Sequence, residues 1–298
     1  MNFDAFSPPK QTDPDRQTLM NTASDALSSV TIAFIGGGNM ASAILGGLIR
    51  QGVRPEQVTV IEPFADTAAQ LQRQWGVTVL PAASPVLAKA QLVVWAVKPQ
   101  LFSEAAAPVL PYTQTALHLS VAAGIRTDSL CRWVGTQRVV RSMPNTPALV
   151  GQGMTALYPC PQVSTDDRLL VEQVMGTTGQ YLWVTQESQL DAVTALSGSG
   201  PAYVFYFLEA MTEAGVDMGL PQAQAYQLAV ATFAGAASLA AASSETPEVL
   251  RQRVTSKGGT TYAALTAMEA AGMKPAFIQA MRAAEQRARE LGDEFGKG

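Results

Sequence analysis

From residue 30 onward, short apolar runs rich in β-branched residues alternate with longer stretches whose apolar positions recur every three or four residues. Residues 30–35, 58–61, 92–97, 116–121 and 138–143 read as buried strands, with helical patterns between them. That alternation predicts a doubly wound parallel sheet. Residues 153–159 and 180–185 read as two further strands around a helix at 165–176. From about Glu187 the strand signal stops. A helix, a break at Ser197-Gly198-Ser199-Gly200-Pro201 and a second helix lead to a turn at Gly219. An alanine-rich helix over 222–242, a short one over 247–253, one opening near 260 and a last one over 275–291 complete the pattern. The expected fold class is α/β, with a loosely ordered tail (1–29), a sheet domain (30–186) and an all-helical domain (187–298).

Composition narrows the partners. Hydrophobic residues make up 47% of the 298 and charged ones 15%, so a monomer would expose large apolar patches, and subunit association is expected. The net charge is −4 and no basic cluster occurs, which argues against nucleic acid. The tail lacks the basic and apolar regions of a signal peptide. The uncharged run between Asp217 and Glu245 carries glutamines and small side chains, which suits a helix buried in a protein assembly better than one in lipid. The two cysteines make no disulfide framework and have no histidine at metal-ligand spacing, so a reducing cytoplasm is expected and a metal site is not. His118, the only histidine, alternates with Leu117 and Leu119 and reads as a packed or hydrogen-bonded strand residue.

The first strand runs into Gly36-Gly37-Gly38-Asn39-Met40-Ala41 and then a helical pattern, Ile44, Leu45, Leu48, Ile49. G-x-G-x-x-A between strand and helix is a dinucleotide-binding fingerprint: Gly36 makes the turn, Gly38 admits the pyrophosphate, and Ala41 holds the helix against the strand. Asn39 and Met40 then lie at the helix N-terminus beside the phosphates. Glu62, ending the next strand, is placed to bond the ribose hydroxyls and repel a 2′-phosphate; the nearest following arginine is Arg73. This favours NADH over NADPH and leaves use of both open. Ligands in such sheets lie beyond the carboxyl ends of the strands. Ala96, Val97, Lys98 and Pro99, then Ala123 and Gly124, then Asn145, are further cofactor candidates. Lys98 reads either as a phosphate or ribose contact or as a surface lysine in a turn. Asn145 and Thr146, between two prolines, read either as nicotinamide neighbours or as turn formers.

The stretch "VTSKGGTT" (254–261) opens a helix with four hydroxyls, a lysine and two glycines, where one hydroxyl would serve as a cap. It is either a loop over-supplied with caps or a cradle for an anion.

Four segments, "FIGGGNMASAI", "MPNTPALVGQGMTAL", "LDAVTALSGSGPAYVF" with "GVDMGLP", and "VTSKGGTTYAALTAMEAAG", together resemble the pyrroline-5-carboxylate reductase family over nearly the whole chain after the tail. The resemblance implies a Rossmann domain followed by a helical dimerisation domain, and a homodimer or a multiple of dimers. It implies hydride transfer from NADPH or NADH to the imine carbon of 1-pyrroline-5-carboxylate, giving proline. It also implies that Ser256, Gly258, Gly259 and Thr261 hold the substrate carboxylate, with Thr261 the catalytic candidate at the ring nitrogen. Lys257 stands where the family usually has proline. A β-hydroxyacid dehydrogenase-like reductase would want a catalytic helical lysine that this sequence lacks. A cofactor sensor without turnover would have no use for the hydroxyl-rich helix start.

Overall fold

The computed structural model describes Leu27 and residues 29–296. Eight strands form one sheet: β1 (Ile32–Ile35), β2 (Val58–Ile61), β3 (Thr78–Leu80), β4 (Leu92–Trp95), β5 (Leu117–Ser120), β6 (Val139–Met143), β7 (Gly153–Pro159) and β8 (Gly179–Trp183). Their spatial order is β3-β2-β1-β4-β5-β6-β7-β8. The first six run parallel in the 3-2-1-4-5-6 order of a doubly wound dinucleotide fold. β7 turns antiparallel to β6, and β8 lies parallel to β7.

Parallel strands with helices on both faces are buried on both faces, and their sequences are correspondingly apolar. In β1, Ile32 and Phe34 face one core with Ile44, Leu45 and Leu48 of helix α1 (Asn39–Arg50). Ala33 and Ile35 face the other core, with Val93, Trp95 and Phe102. Each fully buried Ile or Leu of these clusters contributes on the order of 2 kcal/mol. Helices α2 (Ala65–Trp75), α3 (Phe102–Ala106), α4 (Leu110–Thr113), α5 (Thr127–Val134), α6 (Thr165–Gly176) and α7 (Gln189–Val193) complete this part of the chain. Most of the tail expected over 1–29 lies outside the described residues. Within that stretch Leu27 is buried, and its carbonyl accepts a hydrogen bond from Gln57 Nε2 at 2.9 Å.

The Gly46-Gly47 pair inside α1 runs against helix propensity and is explained by packing. A Cβ on Gly47 would lie 2.4 Å from Thr177 Oγ1, and one on Gly46 would lie 2.6 Å from the Trp75 ring. Gly47→Ala should therefore lower stability by about 1–3 kcal/mol through overpacking. Propensity alone would raise it by about 1 kcal/mol. Urea unfolding at unchanged m-value separates the two outcomes.

Two polar clusters, one around Asp167 and one around Glu187, are built into this unit. The Arg138 guanidinium grips Asp167 with two parallel hydrogen bonds, 3.0 and 2.5 Å. Asp167 also completes a capping box with Ser164 at the start of α6. Arg141, buried on β6, pairs with Glu187 at 2.7 Å, and Glu187 in turn accepts from the backbone N–H and hydroxyl of Thr127, both at 2.7 Å. This ties β6, the start of α5 and the approach to α7 together.

His118, fully buried in β5, accepts at Nδ1 from Trp95 Nε1 (3.0 Å) and faces the Thr113 carbonyl through Nε2 (3.1 Å). The Trp95 bond leaves the ring proton on Nε2, so the neutral imidazole is fully satisfied. Burial, only partly opposed by the Thr113 carbonyl, lowers its pKa from 6.5 to about 4. Between those values the unfolded chain binds a proton that the folded chain refuses, so stability is complete above pH 6.5 and declines as the pH falls towards 4. The loss should reach about 2 kcal/mol at about pH 5. His118→Asn, which retains an acceptor and does not titrate, should flatten that part of the stability-pH curve; an unchanged slope would assign it to other groups.

The chain divides into two compact units, one running to Val193 and resuming at Arg289, the other spanning Thr194–Ala288. The second is helical: α8 (Gly200–Asp217), α9 (Gln222–Ala242), α10 (Pro247–Arg253), α11 (Thr260–Ala270) and most of α12 (Met273–Phe295). The break expected at 197–201 takes the form of a π turn over Thr194–Gly198, after which α8 restarts with Pro201 in its first turn. Proline has no N–H to continue the ladder, and the widened turn absorbs the mismatch. α8 and α9 cross closely at Gly215, where a Cβ would lie 2.8 Å from Ala225 Cβ. Phe277 of α12 packs edge-on against Tyr203 of α8 at 5.6 Å. α9 has a mean hydropathy of 1.3 over its most apolar stretch and is long and apolar enough to cross a membrane, yet most of it is exposed in the single chain. Tyr206, Tyr226, Leu228 and Leu239 are among the uncovered side chains of α8 and α9.

α12 ends in the first unit. A Cβ on Gly124 would come within 3.2 Å of Leu291 and 3.3 Å of the Phe295 ring, and Phe295 packs against the core that contains Trp95 and Phe102. Arg126 pairs with Asp293 at 2.7 Å beside this contact.

Candidate functional site

The turn from β1 into α1 is built by three glycines with three different surroundings. Gly36 has φ +93°, and a Cβ there would lie 2.6 Å from the Ala96 carbonyl oxygen, so the chain can turn over the end of β4 only without a side chain. Gly37 donates its N–H to Glu62 Oε2 at 2.8 Å. Gly38 has nothing within 4 Å of its Cβ position. It is the N-cap of α1, and no side chain caps that helix. The N-terminus of α1, with Asn39 and Met40 in its first turn, therefore opens onto a space that a side chain at Gly38 would fill. Its N–H groups and dipole favour an anion there. These residues fit the pyrophosphate of a dinucleotide.

Glu62 is buried, and both of its oxygens are in use: Oε2 by Gly37 N–H, and Oε1 by Phe64 N–H at 2.9 Å. The carboxylate is a clamp that holds the glycine turn to the end of β2. Each oxygen retains a second lone pair for a ribose hydroxyl. The fixed negative charge meets no lysine or arginine in residues 62–67.

The other strand-end candidates separate by surroundings. Ala96 and Val97 are half-buried against the Gly36 turn, which shortens the strand expected over 92–97 to Leu92–Trp95. Lys98 is exposed and precedes a 3-10 turn that begins at Pro99. Ala123 is exposed after β5, whereas its neighbour Gly124 is buried under the end of α12, a packing role that sequence reasoning did not anticipate. Asn145 opens a 3-10 turn over Thr146–Val150 that packs on α1, and its Oδ1 accepts from Met154 N–H at 2.9 Å. The turn-forming reading of Asn145 thus describes its carbonyl. Gly36, Gly38, Glu62, Ala96, Lys98 and Asn145 all lie just beyond the carboxyl ends of parallel strands, where ligands of such sheets bind.

In the second unit, Gly259 is the N-cap of α11, and no side chain caps this helix either. Four hydroxyls surround that helix start, and none of them supplies the cap. The Thr255 hydroxyl donates back to the Arg251 carbonyl at 2.7 Å, and the Ser256 carbonyl accepts from Gly259 N–H at 3.0 Å. Gly258, at φ +75°, turns the backbone into the helix. Ser256, Gly258, Thr260 and Thr261 are exposed and Gly259 half-buried, so the first-turn N–H groups and two threonine hydroxyls stand open to a ligand. Among the described residues no group of three or more His, Cys, Asp or Glu side chains could hold a metal ion.

Residues 187–291 match the family described as pyrroline-5-carboxylate reductase dimerisation, and residues 31–124 match one described as NADP oxidoreductase, coenzyme F420-dependent. The chain is 43% identical over 275 residues to the pyrroline-5-carboxylate reductase of Pseudomonas aeruginosa, covering 91% of this chain and 100% of that one. Among solved structures, a pyrroline-5-carboxylate reductase from Coxiella burnetii superposes with a TM-score of 0.81 at 37% identity, over 88% of this chain and 98% of that one. A Plasmodium falciparum pyrroline carboxylate reductase with NADP bound also reaches a TM-score of 0.81, at 26% identity over 89% and 99% of the two chains. A doubly wound unit with an open glycine turn, a helical unit with an open hydroxyl-rich helix start, and this likeness over the length of the relatives agree: the chain belongs to the pyrroline-5-carboxylate reductase family.

Proposed function

We infer that this chain reduces the cyclic imine 1-pyrroline-5-carboxylate to L-proline, the last step of proline synthesis, with a nicotinamide cofactor. The observation that carries the reading beyond the family likeness is the start of α11, whose N–H groups and hydroxyls are left open in a position suited to a carboxylate. A bound nicotinamide supplies the hydride that the imine carbon accepts.

The residues of the chain do the rest. Ser256 and the backbone N–H groups of Gly258 and Gly259 hold the substrate carboxylate, and Lys257 adds a positive charge to the same loop. Thr261, in the first turn of α11, holds the ring nitrogen through its hydroxyl and so fixes which face of the imine is presented. Positioning of this kind can account for several orders of magnitude in rate with no acid–base pair. The α1 start, with Gly38, Asn39 and Met40, binds the pyrophosphate, while Gly36 and the Ala96–Pro99 loop shape the turn beside it. Glu62 binds the ribose hydroxyls with its remaining lone pairs.

The same carboxylate favours NADH over NADPH, since a 2′-phosphate would face a fixed negative charge with no cation in residues 62–67. The exposed apolar faces of α8 and α9 suit a homodimer or a multiple of dimers, housed in the cytoplasm. Association would remove from water the surface that makes α9 look fit for a membrane.

The test is to follow nicotinamide absorbance while mixing pure protein and 1-pyrroline-5-carboxylate with NADH or NADPH. Substrate-dependent loss, with the higher kcat/KM for NADH, is expected. Loss with NADPH alone would overturn the role given to Glu62, and loss with neither would overturn the reductase reading.

A further inference from the structure

The only two cysteines of the chain are brought together by the fold of the first unit. Cys131 lies within α5 and Cys160 just after β7, and their sulfur atoms are 3.5 Å apart, sharing one hydrogen. Both backbones are held in place. Cys160 N–H donates to the Val139 carbonyl at 2.9 Å, and the Cys131 carbonyl accepts from Gly135 N–H at 2.9 Å, where α5 ends. The pair is asymmetric in access: Cys131 is half-buried and Cys160 is 4% exposed. Nothing in the hydride transfer uses either thiol.

We propose that Cys131 and Cys160 form a reversible oxidation site that a hydroperoxide converts into an intrachain disulfide. Cys131, the accessible sulfur, attacks as the thiolate on one peroxide oxygen. The O–O bond breaks, the other oxygen leaves with a proton as water or an alcohol, and Cys131 becomes a sulfenic acid. The Cys160 sulfur then attacks the Cys131 sulfur. The S–S bond forms, the S–O bond breaks, and the hydroxyl leaves as water with the Cys160 proton. Two electrons pass from the two sulfurs to the peroxide, and a dithiol reductant returns them.

The asymmetry also sets the order of events. A hydrogen bond from the Cys160 S–H to the Cys131 thiolate draws the Cys131 thiol below its ordinary value, against burial and the opposing charges of Glu187 and Asp128. The same contact, together with burial, pushes the Cys160 thiol up, so it stays protonated until the sulfenic acid appears. The thiolate is the reactive form, which makes Cys131 the sulfur that meets the peroxide.

The experiment treats reduced full-length protein, freed of reductant, with hydrogen peroxide. It follows free thiols under denaturing conditions, intact mass and a non-reducing gel. Both thiols should disappear together, the monomer should lose two hydrogens in mass, one peptide pair should join 131 to 160, and dithiothreitol should restore the thiols. Cys160→Ser should instead accumulate a Cys131 sulfenic acid that dimedone captures, with reductase turnover unchanged before treatment. Cys131→Ser should leave Cys160 unreacted. Persistence of both thiols, over-oxidation of Cys131 beside a free Cys160, or disulfide-linked dimers would each overturn the proposal.

Discussion

Replacing Gly38 with aspartate is expected to remove cofactor binding while leaving the fold as stable as before or slightly more so. The backbone there has φ −70° and ψ −171°, a conformation open to any residue, and nothing lies within 4 Å of the new Cβ. Aspartate is also a better N-cap than glycine, by a few tenths of a kcal/mol. The cost falls entirely on the ligand, because the side chain fills the space over the α1 N-terminus and adds a negative charge where a pyrophosphate must sit. Steric exclusion and charge together should weaken the cofactor by two to three orders of magnitude, about 3–4 kcal/mol. Cofactor titration and thermal unfolding on the same preparation separate the effects. If binding and melting temperature fall together, Gly38 is a folding position and the cradle reading of the turn is wrong.

The second large effect is expected at Thr261. It lies in the first turn of α11, exposed, and the cap position before it is Gly259, so its hydroxyl is not what holds the helix start. Removing the hydroxyl in Thr261→Ala should leave unfolding within about 0.5 kcal/mol of the parent. If that hydroxyl holds the ring nitrogen as charge changes during reduction, kcat should fall roughly a hundredfold or more, as for other preorganised donors. Cofactor affinity should not move. Thr261→Ser, which restores the hydroxyl without the methyl, should recover most of the rate. Full activity in the alanine variant would transfer the role to a backbone N–H, and failure of the serine variant would show that the methyl group matters more than the oxygen.

Much of the fold could be read from the chain because its signals are local. A β-branched run, a glycine turn and a helical period identify β1 and α1 without knowledge of anything distant. The helix expected at 165–176 coincides with α6 for the same reason, with Ser164 and Asp167 marking its start. β3 escaped notice because three residues, Thr78–Leu80, carry no usable alternation; they become a strand only by pairing with β2. Non-local contacts account for the other differences. Glu62 was legible as an acid at a strand end, but its service to Gly37 and Phe64 depends on how β1 and β2 sit side by side. Gly124 gave no sign of its packing role because the residue that closes over it, Leu291, is far away in sequence. At α11 the hydroxyls were visible in the sequence. That none of them caps the helix is a matter of rotamer and backbone geometry, which the sequence does not carry.

The return of α12 to the first unit has a consequence for how the protein is made. Domains generally fold as units while the chain emerges, the N-terminal one first. Here the sheet unit lacks a piece until synthesis has passed through the whole helical unit, because Leu291 and Phe295 supply the cover over Gly124 and part of one core. A chain interrupted before Leu291 would hold all eight strands and yet leave apolar surface uncovered near the loop that follows β5. Such products should be opened locally more often and cleared sooner by proteases than full-length chains. The last turns of α12 thus act as a seal that can be applied only after the whole helical unit has been made.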